Sequence, residues 1–313
     1  MTAPATSPSV KGWCPGAHRP MMSGDGLVVR VRPFRAELSS DQARGLCDLA
    51  ERFGNGTLDL TSRANLQIRG VAEAEHPALL AELDALALID QDPAVEGHRN
   101  ILLDPNWATG DLTDRLYEAL LSALPSLPDM PEKMGFALDT GRGGHLRDGS
   151  ADFRFEIAQD GGLILRADGC DAGRPVTEAT AIDALKDMAE WFVSTGGRDA
   201  GRMARHLKTV SLPTDWQTTL PRSAATDVTP GLAPNGTVLG AAFGKIDTTA
   251  LRDLLNDTGA GQMRLMLGRM FWLRGGSAPA PSQHFVFNCG DPILKAHACP
   301  GAPFCPQATV ETR

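Results

Sequence analysis

The first third of the chain alternates short apolar strands with amphipathic helices. Residues 27–32 alternate apolar and polar side chains as a β-strand does, and residues 42–53 carry apolar side chains at helical spacing. The pattern predicts one further strand that runs through residues 57–69, and a second helix over 77–87. Strand, helix, strand and helix in this order predict half of a ferredoxin-like α+β layer over residues 24–87.

The same pattern returns near the C-terminus, over residues 231–278. Strand and helix follow in the same order, and the last strand, predicted over 262–273, leads into Arg-Gly just as the strand at 57–69 does. A half-unit alone would leave a sheet edge and an apolar face exposed. We therefore interpret the two segments as an internal repeat, and predict that its halves pair into one sheet within one domain.

The rest of the chain divides into an arm and a mixed segment. Residues 1–23 are rich in Pro, Gly and Ser without periodicity, which predicts an extended N-terminal arm. Residues 88–222 contain predicted strands and two predicted helices, at 111–124 and 179–195, and form a separate α+β domain. The fold class predicted for the whole chain is α+β.

Charge and composition limit the kinds of molecule that this chain is expected to bind. The formal net charge of the 313 residues is −8, which argues against a general nucleic-acid-binding protein. No apolar run reaches the roughly 20 residues that span a bilayer, and the N-terminus lacks the apolar core of a secretory signal. We therefore expect a cytoplasmic protein that binds neither nucleic acid nor membrane.

Two cysteines near the C-terminus are the strongest chemical signal. Cys299 and Cys305 are separated by Pro-Gly-Ala-Pro-Phe, a segment that can turn both sulfur atoms toward one point. Converging thiolates are what an iron–sulfur cluster needs. Zinc is an alternative, although its ligands usually lie closer together in sequence. A third interpretation is two unrelated cysteines in a proline-rich loop.

A second signal lies in the predicted strand at 57–69. On a strand, Arg63, Asn65, Gln67 and Arg69 share one face, because strand side chains alternate between two faces. Two arginines on such a face suit a substrate with several carboxylates, since guanidinium pairs with carboxylate in a bidentate manner. The alternative is an ordinary solvent-exposed strand face.

Taken together, these motifs resemble those of the sulfite and nitrite reductases. Residues 61–70 resemble the family's Thr-x-Arg-Gln-x-x-Gln motif, in which the arginine, here Arg63, approaches sirohaem and its anionic substrate. The segment around Arg99 is similar to the family's Arg-Asn motif, and the segment around Lys133 to its Pro-x-Lys-x-Lys motif. The resemblance implies a nitrite/sulfite reductase-like fold with catalytic roles for Arg63, Arg99 and Lys133.

Within the family, the chain looks most like the precorrin-3B synthase branch. The segments typical of that branch are 14–17, 22–26, 53–56 and 298–302. The resemblance implies an NADH-linked, iron–sulfur monooxygenase with a non-haem iron in place of sirohaem. Such an enzyme takes dioxygen, receives electrons from a donor, and hydroxylates the anionic tetrapyrrole precorrin-3A at C20 with lactone formation. The histidines show no ligand spacing that would assign the iron.

The resemblance assigns Cys299 and Cys305 to a 4Fe–4S cluster, and residues 279–313 to the start of a cluster-binding domain. The family's second cysteine pair is expected beyond Cys305, so we interpret this domain as shortened at the C-terminus. Lys133 is followed by Met134-Gly135, which lacks the second lysine expected for a small anion such as sulfite. Two alternatives stay open: a sirohaem-dependent sulfite or nitrite reductase, and a non-catalytic tetrapyrrole-binding protein.

Overall fold

The computed structural model describes residues 15–141, 144–224, 228–298, 300–302, 304–305 and 308–312. The chain divides into two compact units. The first is formed by Met1–Pro93 together with Thr229–Arg313, and the second by Ala94–Val228. Both predicted repeats lie in the first unit. The predicted boundaries between the smaller segments stay predictions.

The strands, in chain order, are β1 (Met21–Ser23), β2 (Gly26–Val31), β3 (Glu37–Ser39), β4 (Thr57–Leu60), β5 (Leu66–Val71), β6 (Ile101–Leu103), β7 (Phe136–Asp139), β8 (Phe153–Ile157), β9 (Leu163–Ala167), β10 (Arg174–Val176), β11 (Gly231–Ala233), β12 (Gly236–Gly240), β13 (Lys245–Asp247), β14 (Gln262–Met266) and β15 (Met270–Arg274). The α-helices are α1 (Ser40–Phe53), α2 (His76–Ala85), α3 (Pro93–His98), α4 (Leu112–Ala123), α5 (Ala181–Ser194), α6 (Gly197–Ala200), α7 (Met203–His206) and α8 (Thr248–Thr258).

The first unit contains two five-stranded antiparallel sheets that exchange a strand. The strand order is β1-β2-β5-β4-β13 in the first sheet and β11-β12-β15-β14-β3 in the second. The short strand β3 of the first repeat thus completes the second sheet, and β13 of the second repeat completes the first. The prediction of a single sheet is therefore wrong. Each repeat covers the open edge of the other's sheet, which satisfies the backbone groups there.

The predicted long strand at 57–69 is also wrong, because it is a hairpin. Strands β4 and β5 are antiparallel, with Leu60 opposite Leu66, and a turn occupies residues 61–65. Ala64 in this turn has a φ of 54°, a left-handed conformation that ends the extended backbone. The predicted strand at 262–273 is likewise a hairpin of β14 and β15, and Arg269 at its turn has a φ of 60°.

The core of the first unit lies between the sheets and helices α1 and α8. Helix α1 begins with a capping box in which the Ser39 hydroxyl accepts from the Gln42 backbone N–H. One face of α1 is buried, including Leu46 and Phe53, and strands of both repeats contribute to the same apolar cluster. Full burial of each large apolar side chain stabilises the fold by about 1.5–3 kcal/mol. The α+β fold with paired half-repeats is as predicted.

The second unit has one mixed sheet, in the order β10-β9-β8-β7-β6. Strands β6, β7 and β8 are parallel, while β8, β9 and β10 are antiparallel. Helices α4 and α5 contribute buried faces to its separate apolar core. The carboxyl ends of three neighbouring parallel strands therefore meet at one edge of this sheet. No helix among the described residues is long and apolar enough to cross a bilayer.

The strand exchange predicts an asymmetric response to truncation of apolar side chains. Ile246 on β13 is fully buried against the first sheet, whereas Leu232 on the edge strand β11 is 75% exposed. We expect Ile246→Ala to lower the free energy of unfolding by about 2–5 kcal/mol because it leaves a cavity. Leu232→Ala should change that free energy by less than about 0.5 kcal/mol. Urea unfolding followed by circular dichroism measures both, and equal effects would contradict a stabilising role for β13.

Candidate functional site

Four side chains form a polar row across the first sheet, on the face opposite the core. Arg30 lies opposite Gln67, Gln67 opposite Asp59, and Asp59 opposite Lys245, on the strands β2, β5, β4 and β13. Gln67 accepts from the Arg30 guanidinium at 2.9 and 3.2 Å when its amide oxygen faces that group. Lys245 is exposed. Because Leu66 and Ile68 point into the core, the alternation predicted for this strand holds from residue 66 onward.

Arg69 extends this face but is held by an ion-pair network. Its guanidinium donates to both carboxylate oxygens of Asp25, at 3.0 and 3.2 Å, and lies 3.9 Å from Asp59. It also donates to the Ser23 hydroxyl at 2.8 Å. Only 9% of Arg69 is exposed, so loss of one partner would leave a buried charge without compensation. The geometry favours a role in positioning the β1–β2 turn.

The cysteine loop, which is the C-terminal segment that carries Cys299 and Cys305, contacts the β1–β2 turn through Phe304. The Phe304 carbonyl accepts from the Ser23 hydroxyl at 3.1 Å and from the Gly24 backbone N–H at 3.2 Å. Cys305 follows directly, and its own N–H donates to the Gly301 carbonyl at 2.7 Å. A chain of hydrogen bonds therefore runs from Arg69 through Ser23 to the residue next to a predicted cluster ligand.

A cleft of about 140 Å³ opens between the sheet and this loop. Arg69 and Asp59 line its sheet side with Lys245, and Phe304 lines its loop side. Lys245 is the exposed cation of this cleft, because Arg69 already pairs with Asp25, and the carboxylate of Asp59 lines the same cleft. An ammonium in this position can pair with a small anionic group.

Arg63 and Asn65 lie in the turn and not on the strand face where they were predicted. The Thr61 hydroxyl accepts from the backbone N–H groups of both residues, at 3.3 and 3.1 Å. Arg63 also forms an isolated β-bridge with Leu267, in the equivalent turn of the second repeat. The predicted common face for the four residues is therefore wrong, because the turn interrupts it. Their roles in substrate binding stay predictions.

Arg99 and Lys133 lie on adjoining segments of the second unit. Arg99 is buried and donates to the Glu96 carboxylate at 2.7 Å. The Asn100 side-chain amide donates to the carbonyls of Glu132 and Met134, at 3.1 and 3.2 Å, on either side of half-buried Lys133. Asn100 thus holds the two predicted catalytic segments together. Their catalytic roles stay predictions.

The cysteines are spread through the fold. Cys14 and Cys299 lie outside the described residues, so the predicted pairing of Cys299 with Cys305 stays a prediction. Cys305 is half-buried, Cys289 is exposed and Cys47 is buried in the first core, while Cys170 belongs to the second unit. No three described His, Cys, Asp or Glu side chains converge to hold a metal ion.

The second sheet carries a counterpart of the polar row with reversed charges. Glu37 and Arg264 lie opposite each other there, in the positions that Lys245 and Asp59 occupy in the first sheet. Arg264 is buried and pairs with Glu37 at 2.7 Å, and the guanidiniums of Arg264 and Arg274 lie 5.9 and 5.1 Å from the ring centre of Trp272. Cation–π contacts of this kind stabilise the cluster. The side chains of Glu37, Arg264, Arg274 and Trp272 therefore cover the polar face of the second sheet.

The sequence prediction missed Ser23, Asp25, Asp59 and Lys245. One signal could have found part of this set. The turn Asp25-Gly26 recurs as Asn235-Gly236 at the same point of the second repeat, which marks both hairpins.

Comparisons with known proteins agree with this architecture. Residues 19–86 match the nitrite/sulfite reductase ferredoxin-like half domain. NirA of Mycobacterium tuberculosis has a similar fold, with a TM-score of 0.68 at 18% identity, over 92% of this chain and 62% of NirA. The chain therefore spans less than two thirds of NirA.

Two relatives from the same group of enzymes match almost the whole chain in sequence. A precorrin-3B synthase of a Sinorhizobium species is 30% identical over 97% of this chain and 72% of its own length. The ferredoxin–nitrite reductase of Leptolyngbya laminosa is 23% identical over 96% of this chain and 70% of its own length. The resemblance inferred from the motifs is confirmed. The chain belongs to the nitrite/sulfite reductase family, in the branch that contains precorrin-3B synthase.

Proposed function

We propose that this chain is an oxidoreductase of the precorrin-3B synthase type. It would hydroxylate precorrin-3A at C20, with lactone closure by a ring A acetate. One atom of dioxygen enters the product, and the other leaves as water with two electrons, supplied by NADH through an electron donor, and two protons. The observation that carries the proposal is the cysteine loop on the polar face of the first sheet, beside a cleft lined by Arg69, Lys245 and Asp59.

The charges of this face support an anionic substrate. This face carries three cationic side chains and two carboxylates: Arg30, Arg69 and Lys245, with Asp25 and Asp59. The Arg69–Asp25 pair is internally compensated, so Lys245 on the cleft is the group best suited to a substrate carboxylate. Arg63, Asn65, Gln67 and Arg69 are proposed to orient the same substrate, directly or through the turn that they hold.

Cofactors enter the proposal through the cysteines. The described residues alone do not form a complete four-thiolate site, because no three metal-binding side chains converge among them. Cys299 and Cys305 would hold one side of a 4Fe–4S cluster, which supplies electrons when bound. A non-haem iron would supply oxygen activation, and its ligands are unassigned. The chain's own residues would bind the substrate and keep the cysteine loop in place.

A sirohaem-dependent nitrite or sulfite reductase is the second candidate. It is favoured by the similarity to nitrite reductases over most of the chain. It is disfavoured at residues 133–135, where the second lysine of the family motif is replaced by glycine. A non-catalytic tetrapyrrole-binding protein is the third candidate.

Product analysis distinguishes these candidates. We expect the anaerobically reconstituted protein, given precorrin-3A, NADH, an electron donor and air, to yield a pigment heavier by one oxygen atom in the mass spectrum. Label from ¹⁸O₂ should appear in that pigment. Unchanged pigment that stays bound would favour the binding protein, and sirohaem absorbance with nitrite or sulfite reduction would favour the reductase.

The hydrogen bond from Ser23 to Phe304 gives a second prediction. Ser23→Ala removes a bond worth about 1 kcal/mol, so the loop should open about fivefold more often. Alkylation of Cys305 in the cluster-free protein should accelerate by a similar factor, as measured by peptide mass spectrometry. Ser62→Ala is the matched control, because Ser62 is exposed in the 61–65 turn. An unchanged rate in Ser23→Ala would contradict the positioning role.

Cys47 is predicted to be no cluster ligand. Burial raises the pKa of the Cys47 thiol to about 12, so at pH 8 roughly one thiol in ten thousand is a thiolate. We expect iodoacetamide at pH 8 to label exposed Cys289 and to leave Cys47 unlabelled in the folded protein. Cluster loading should also survive Cys47→Ala. Rapid labelling of Cys47, or loss of the cluster in a folded variant, would contradict this.

A further inference from the structure

Three carboxylates stand in a row where parallel strands of the second unit end. Asp104 directly follows β6, and its backbone N–H donates to the Leu138 carbonyl at 3.0 Å. Asp139 ends β7 and lies opposite Glu156 on β8. The carboxyl ends of neighbouring parallel strands are where α/β sheets bind ligands. The row therefore lies at the edge where a ligand is expected.

Each of the first two carboxylates is fixed through one oxygen atom only. Asp104 Oδ1 accepts from the Asn106 backbone N–H at 2.8 Å and from its side-chain amide at 3.1 Å. Asp139 Oδ2 accepts from the Leu146 backbone N–H at 3.0 Å. The remaining oxygens, Asp104 Oδ2 and Asp139 Oδ1, are buried and have no hydrogen-bond partner within the described structure. Metal-ligating carboxylates are commonly oriented by such hydrogen bonds.

The third carboxylate, Glu156, differs from the other two because an arginine pairs with it. Glu156 accepts two hydrogen bonds of 2.6 Å from Arg166, so the guanidinium of Arg166 already balances the charge of this carboxylate. Asp104 and Asp139 are 0% and 1% exposed, and no cationic side chain among the described residues forms a hydrogen bond with Asp104 Oδ2 or Asp139 Oδ1. A buried ionised carboxylate without a compensating charge is strongly unfavourable.

We propose that Asp104 and Asp139 bind a divalent cation through their two bare oxygens. Backbone oxygens and water would complete the coordination, as is common for Mg²⁺ and Mn²⁺, which need only one or two protein carboxylates. Gly141 fits this assignment, because a Cβ there would clash with Asp104 Oδ2. A side chain at residue 141 would displace the ligand. The proposal uses none of the cysteines or the residues of the first sheet, so it stands apart from the proposed redox function.

Binding of Mn²⁺ to the full chain tests the proposal. After EDTA treatment and dialysis at pH 7.5, we expect the wild type to take up one equivalent, seen as loss of the free-ion EPR signal. Asp104→Asn/Asp139→Asn should weaken binding at least about tenfold, the scale expected when groups that hold a metal are changed. Gly141→Ala should also weaken it, although both carboxylates remain. Asp187→Asn, at a half-exposed carboxylate paired with Arg174, is the control and should bind as the wild type does.

The variants can be checked for folding independently. Asparagine keeps the shape of aspartate and removes buried charge, so the double variant should retain the wild-type circular dichroism spectrum and unfold at no lower temperature in EDTA. Absence of Mn²⁺ uptake by the wild type would overturn the proposal and leave a shared proton as the neutralising partner. Equal uptake by the wild type and the folded double variant would overturn it as well.

Discussion

The reciprocal pairing of β3 with β14 and of β13 with β4 is the constraint on which the first unit depends. Without it, β4 and β14 would be edge strands, and the backbone groups on their outer sides would be available for unwanted pairing. The exchange also places Lys245 from the second repeat beside Asp59 from the first, on the same polar face. The candidate site therefore exists only because two segments about 190 residues apart in sequence share a sheet.

The two sheets share one strand arrangement, but their polar faces carry different side chains. In the second sheet, buried Arg264, its half-buried partner Glu37 and Trp272 occupy the polar face. In the first sheet, the equivalent positions carry Lys245, Asp59 and Gln67, and the face borders a cleft and the cysteine loop. Burial of a charged pair costs desolvation, which good geometry must offset. The charged side chains of the second sheet pair with one another, whereas in the first sheet the ammonium of Lys245 stays exposed.

The sequence predicted much of the element order but not where the chain turns back. Apolar periodicity identified α1 and the strands around it, because their spacing is local. The hairpins were missed because polar residues continue to alternate from Arg63 to Arg69 across the turn, and Ala64 carries no turn signal despite its positive φ. The partner of Arg69 was missed because Asp25 lies 44 residues away, beyond any local pattern. The Arg-Gly repeat and the family motifs, in contrast, can be read directly from the chain.

The strand exchange has a consequence for the origin of such a chain. A single repeat made as a separate polypeptide would lack the fifth strand of its sheet, and only a second copy could supply it. Two identical copies would then donate the same strand to each other, in the isologous arrangement of a twofold homodimer. Identical halves must carry identical charges, so one could not hold Glu37 where the other holds Lys245. Fusion into one polypeptide removes that symmetry requirement and lets one face become a ligand site while the other becomes structural.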